Sequence, residues 1–134
     1  MDGFGVRVLG AKELKKHWAT RAVAVQPMIN RQAIHWGQIL ETRIKASASG
    51  RPGPNAPTGD YRRSWNTQTT MAGDQVVVDV GTNKPQGRRL EFGFYGADSL
   101  GRVYNQPPFP HVEVNIDPVT DGFVHSVEAE VAKL

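Results

Sequence analysis

Four histidines, thirteen acidic residues and no cysteine are the groups in this 134-residue chain that could do chemistry. His17, His35, His111 and His125 never recur at the i, i+4 spacing that sets two imidazoles on one helical face, and without cysteine there is neither a thiolate zinc site nor a disulfide. His35 adjoins an apolar stripe and reads as a partly buried polar residue. Paired carboxylates could act as general acid and base or hold two metal ions. The candidates Asp74, Asp79, Glu91 and Glu113 fall on expected strands or strand ends with no regular spacing, as solvated strand faces do. No Gly-x-Ser-x-Gly elbow occurs, and the one Gly/Pro-rich loop lacks the Gly-Lys-Ser/Thr ending that cradles phosphate. The residue types point away from an enzyme. They assign no catalytic, cofactor-binding or metal-binding residue, and no cofactor.

Composition leaves a binding or structural role. Hydrophobic residues make up 39% of the chain and charged residues 22%, a balance that fits one folded domain of residues 1–134. No apolar run approaches the roughly 20 residues needed to span a bilayer, so no membrane partner is expected. The N-terminus lacks the apolar core of a secretory signal. The net charge of +3 is unevenly distributed. Residues 1–63 hold eleven Lys/Arg against four Asp/Glu, and residues 64–134 hold five against nine. A basic front and an acidic back suit copies that stack head to tail, or a surface that faces nucleic acid. Arg51, Arg62 and Arg63, with Lys12, Lys15, Lys16 and Arg21, are the cations available for phosphate contact, although no aromatics are interleaved with them.

The elements that must position these groups follow from periodicity. Phe4, Val6 and Val8 alternate, as a short strand or an N-terminal arm over residues 1–10 would. Trp18, Ala22, Val25, Ile29, Ala33, Trp36, Leu40 and Ile44 keep one face of a long helix from about Ala11 to Ser49, with Trp18 and Trp36 as core anchors. Pro27 either kinks that helix or opens a second one. Residues 47–60 are a Gly/Pro-rich loop. Tyr61–Met71 and Gln75–Gly81 read as an antiparallel hairpin around Ala72-Gly73-Asp74. A short helix capped by Thr82 or Asn83 should carry Arg88, Arg89, Leu90, Glu91 and Phe92, burying Leu90 and Phe92. Alternation from His111 to Ile116 predicts a third main strand. Asp117-Pro118 then predicts the start of a C-terminal helix striped by Val119, Phe123, Val127, Val131 and Leu134. The expected fold is therefore α+β. An antiparallel sheet of three to four strands should pack against a long N-terminal helix, kinked or split near Pro27, and a C-terminal helix, with a short helix and long loops.

Between Gly81 and Pro110 the chain gathers three of its five Phe, two of its three Tyr and four of its nine Pro. Residues 93–110 predict a projecting loop, with a turn at Asp98–Gly101 and a short strand at Arg102–Tyr104. Arg88, Arg89, Phe94, Tyr95, Tyr104 and Phe109 are the residues expected at a subunit interface, since aromatics and arginine dominate such contacts.

Thr58-Gly59-Asp60-Tyr61-Arg62-Arg63-Ser64-Trp65 resembles the Thr-Gly-x-Leu-Arg-x-Ser segment of the neck and tail-completion proteins of long-tailed bacteriophages, the family of lambda minor tail protein Z. Gly81-Thr82-Asn83 with Arg89-Leu90-Glu91-Phe92-Gly93, and Pro107-Pro108-Phe109-Pro110, resemble two further segments of that family in the same order. Tyr61 replaces an aliphatic residue, and Pro110-His111 departs from the family's Phe-Leu-Arg-Pro ending. The resemblance covers about residues 11–134 through short motifs. It implies a non-enzymatic virion protein that forms a homo-oligomeric ring, a hexamer or dodecamer, at the head–tail junction and is made in the host cytoplasm. Its implied partners are other head–tail junction and tail proteins, with non-specific contact to packaged DNA. Arg51, Arg62 and Arg63 would face the lumen, a partner ring or DNA. A tail terminator or head-closure ring protein is the alternative within this class, and a DNA-binding module is the alternative outside it.

Overall fold

In a computed structural model, which describes residues 3–8 and 25–133, the chain is α+β. Its order is β1 (Phe4–Val8), α1 (Val25–Ser47), α2 (Asp60–Arg63), β2 (Asn66–Ala72), β3 (Gln75–Thr82), α3 (Gln86–Phe92), β4 (Phe94–Ala97), β5 (Val103–Gln106) and α4 (Glu113–Val131). One antiparallel sheet has the order β1-β3-β2, and β4 and β5 form a separate two-stranded antiparallel sheet. Trp18, Ala22, Lys12, Lys15, Lys16, Arg21, His17 and Leu134, and any helix before Val25, lie outside the described residues. Pro27 falls in α1 two residues after Val25, the first described residue of that helix.

The valines of β3 organise the core. Val76, Val78 and Val80 are buried on the face that meets α1, while Val77 and Asp79 alternate to the other side. From α1 come Ile29, Ala33, Leu40 and Ile44, the stripe expected from the sequence. Gly37 lets that helix close on the sheet, because a Cβ there would collide with Val78. The β2–β3 hairpin turns through Gly73 and Asp74, and Gly73 takes φ 68°, as the first residue of a II′ turn requires. The third strand of the sheet is β1, whose Val6 pairs with Val80 and whose Arg7 makes a two-pronged ion pair with Asp79 at 2.7 and 3.1 Å. Of the two alternatives for the N-terminal segment, a strand of the protein's own sheet is therefore the one observed for Phe4–Val8.

Helix α4 packs along α1 rather than lying beside it on the sheet. Val119, Phe123, Val127 and Val131 are buried as expected. A Cβ at Gly122 would strike the Trp36 ring, whose indole N–H donates to Ser126 Oγ at 3.0 Å, so the glycine admits the tryptophan between the helices.

Three expectations are corrected. Tyr61–Arg63 is helical, not strand. Gly59 at φ 78° turns the chain, the Arg63 and Ser64 amides bond back to Gly59 and Asp60, and the strand starts only at Asn66. His111–Ile116 is not a strand, because α4 already begins at Glu113 and Pro118 lies inside it. The short helix α3 is preceded by Pro85 and has no side-chain cap from Thr82 or Asn83. It buries Glu91 and leaves Phe92 57% exposed, the reverse of what was expected for those two, while Leu90 packs half-buried against the core as expected. The Gly/Pro-rich loop is irregular but pinned. Pro54 is buried, Gly50 N–H donates to Pro54 O at 3.0 Å, and Gly59 N–H donates to Ala56 O at 3.0 Å.

Candidate interaction surface

Glu91, dismissed from sequence as a solvated carboxylate, is the centre of a buried polar cluster. Its Oε1 accepts the backbone N–H groups of His111 at 2.8 Å and Val112 at 2.9 Å, and its Oε2 accepts that of Glu113 at 3.0 Å. The first amides of a helix have no partner within the helix, and the N-terminus favours negative charge. Glu91 therefore caps α4 from a different helix. His111 stands beside it at 0% exposure, with Nδ1 2.9 Å from Phe109 O and Nε2 2.7 Å from the Tyr61 hydroxyl. The arrangement fits a neutral ring that donates from Nδ1 to the carbonyl and accepts at Nε2 from the phenol. Burial pushes the Tyr61 phenol up to about 12, so it keeps the proton that it donates. Burial also holds His111 below its ordinary value of 6.5, although the Phe109 carbonyl and Glu91 pull the other way. All three side chains are buried and engaged in holding α2, α3 and α4 together.

The sign of this shift sets a pH dependence. Just below pH 6.5 the unfolded chain binds a proton that the folded chain excludes, so stability falls as the pH drops through that window. Asp79, lowered mainly by its bond to Arg7, and Asp98, lowered by hydrogen bonds against the opposing effect of burial, both sit below 3.8 and act only at lower pH. Urea midpoints should be lower at pH 5.5 than at pH 7.5, and His111→Gln should flatten that slope. An unchanged midpoint in the wild type would show that His111 is accessible to protons.

The Glu91 cap also fixes where the β4–β5 hairpin leaves the body. Gly93, at φ 81°, ends α3, and Gln106 Nε2 donates to Arg89 O at 3.1 Å. Register pairs Phe94 with Gln106, Tyr95 with Asn105, Gly96 with Tyr104 and Ala97 with Val103. The side carrying Phe94, Gly96 and Gln106 is partly covered, and Arg89 stacks over the Phe94 ring at 3.9 Å. The opposite side carries Tyr95, Ala97, Val103 and Asn105, all exposed, with Tyr95 at 69% and Val103 at 82%. Leu100 projects at the tip, 76% exposed. Asp98 holds that tip in shape. It accepts the Leu100 and Arg102 amides at 2.9 Å each, Arg102 Nε at 2.6 Å and the Tyr104 hydroxyl at 3.1 Å.

The residues proposed from sequence are thus divided. Tyr95 stands free, Tyr104 is partly free, and Arg88 is exposed on α3. Arg89 and Phe94 are engaged with each other. Phe109 is half-buried, with its amide bonded to Leu90 O at 2.7 Å and the Arg51 guanidinium over its ring at 3.8 Å, so Arg51 and Phe109 belong to one place rather than two surfaces. Arg62 donates to Ser49 Oγ at 3.0 Å, and Arg63 donates to Thr58 O at 3.2 Å and pairs with Asp60 at 2.7 Å. Both arginines brace the Gly/Pro-rich loop. Sequence reasoning missed Leu100 and Val103, although their flanking turn and alternation were the available signal. No helix among the described residues is long and apolar enough to cross a membrane. No protein-family model matches the chain, and no curated protein or solved structure matches it either.

Proposed function

We propose that this chain is a non-enzymatic virion subunit of a long-tailed bacteriophage that assembles into a ring at the head–tail junction, as a neck or tail-completion protein. The observation that carries the reading is the free side of the β4–β5 hairpin, where Tyr95, Ala97 and Val103 stand away from the core on a base anchored by α3. An isolated two-stranded sheet is marginal in water, and exposed aromatics with an open strand edge are interface features. The motif order of Thr58–Trp65, Arg89–Gly93 and Pro107–Pro110 supports the same reading, and these three segments meet around the Tyr61–His111–Glu91 cluster. Partners would be further copies in a hexamer or dodecamer, together with adjoining head–tail proteins. Arg51, Arg62 and Arg63 would offer only loose electrostatic contact to DNA. A tail terminator or head-closure ring uses the same surfaces and differs in its position within the particle.

Disrupting the gene in the replicon that carries it should leave filled heads and finished tails unjoined in electron micrographs, and added purified chain should restore joining. Infectious particles formed without the chain would overturn the proposal.

A further inference from the structure

We infer that the hairpin tip of one copy seats in the apolar notch between β1, α1 and α4 of the next copy. This rests on the ring-forming role proposed above and names the two faces that meet.

The notch has a cavity of about 170 Å³ and is lined by Val6, Trp36, Leu40, Ile116, Val119 and Phe123, with Thr120 at its mouth. These are mostly aliphatic and aromatic walls, suited to a branched apolar side chain. The tip offers Leu100 and Val103, both more than three-quarters exposed. Asp98 has already ordered that tip through four hydrogen bonds, which reduces the entropy lost on docking.

Charge selects a second copy as the occupant. Beside the notch, α4 presents Glu113, Asp117 and Asp121 at i, i+4 spacing, all exposed, and none has an ion pair among the described residues. Like charges so spaced repel within the helix. Among the described residues, the one cation lining the notch, Arg7, is occupied by Asp79. The hairpin brings the opposite sign at its base, in the exposed Arg88 and Arg89, while Arg102 at its tip is paired with Asp98 at 2.6 Å. Tip and notch are different patches carried by the same chain, so the contact is heterologous and repeats from copy to copy, as ring closure requires.

The chain has no cysteine, so single-thiol variants report the contact directly. Leu100→Cys and Thr120→Cys proteins, mixed and oxidised, should give a mixed dimer about tenfold faster than Leu100→Cys mixed with Met71→Cys, a control on the exposed β2–β3 hairpin, because docking raises the effective thiol concentration. The double variant should give a ladder of cross-linked oligomers. Asp117→Lys with Asp121→Lys should slow the reaction. Equal rates with the control pair would overturn the inference, as would preferential Leu100–Leu100 dimers. So would a Thr120→Cys, Trp18→Cys chain that closes on itself, since residues 9–24 of the same chain would then fill the notch. Particles that need the chain for joining but show no tip-to-notch cross-link would remove this contact alone. Efficient cross-linking by a chain absent from particles would remove the head–tail role alone.

Discussion

Glu91→Ala is expected to destabilise the protein by about 3–5 kcal/mol, a large part of the roughly 5–15 kcal/mol that holds a domain together. The alanine leaves three amides at the start of α4 without their acceptor, two of them, at His111 and Val112, buried from water and the third, at Glu113, partly buried. Each orphaned buried donor costs about 1–3 kcal/mol, and relaxation of the helix end recovers part of the sum. A melting temperature lower by about 10 °C or more is expected for a chain of this length. Glu91→Gln keeps one oxygen for His111 and Val112 but turns an amide N–H₂ toward Glu113 N–H, so its loss should be about half as large. Glu113→Ala, at an exposed position, should stay within about 0.5 kcal/mol of wild type. Thermal unfolding followed by circular dichroism distinguishes these outcomes. Hydrogen exchange at 111–116 should accelerate first in Glu91→Ala, because the cap supports that turn. A Glu91→Ala protein as stable as Glu113→Ala would show that α4 needs no partner from α3.

The second large effect is on assembly and not on folding. Tyr95→Ser combined with Val103→Ser should leave the melting temperature almost unchanged, because both side chains face solvent on the free side of the hairpin. Subunit association should nevertheless weaken by about 4 kcal/mol, roughly a thousandfold, if the two act as central contacts of about 2 kcal/mol each. Analytical ultracentrifugation of the proposed ring, with calorimetry on the same samples, separates the two quantities. Normal assembly by the double variant would remove the hairpin from the interface. A matching fall in stability would mean that the hairpin is part of the fold's own core.

Exposure at Phe92 and burial at Glu91 follow from one local fact. Residues 91 and 92 are adjacent on α3, so they cannot both point at the core. The apolar rule favoured Phe92, but the three unsatisfied amides of α4 draw Glu91 inward, and Phe92 is left to meet Phe4 edge-on at 5.8 Å. The same bonds convert 113–116 from an expected strand to helix. Val112, Val114 and Ile116 alternate in the sequence, but Val112 is buried while Val114 is 54% exposed, as a helical turn demands. The β1 strand was ambiguous for a related reason. Five residues with three apolar positions acquire meaning only once Val80 and Asp79 stand opposite Val6 and Arg7.

The sequence by itself determined the periodic elements: the Ile29–Ile44 stripe of α1, the valines of β3, the hairpin turn at Gly73 and the Val119–Val131 stripe of α4. Each depends on local spacing that matches one regular geometry, so no distant residue is needed to define it. It also located the aromatic, proline-rich stretch between residues 81 and 110. Only the tertiary structure decided which side of that stretch is free, which carboxylate is buried and where α4 begins. Those outcomes depend on satisfying backbone amides across some twenty residues of intervening chain, and hydrogen-bond demand of that kind leaves no period in the sequence.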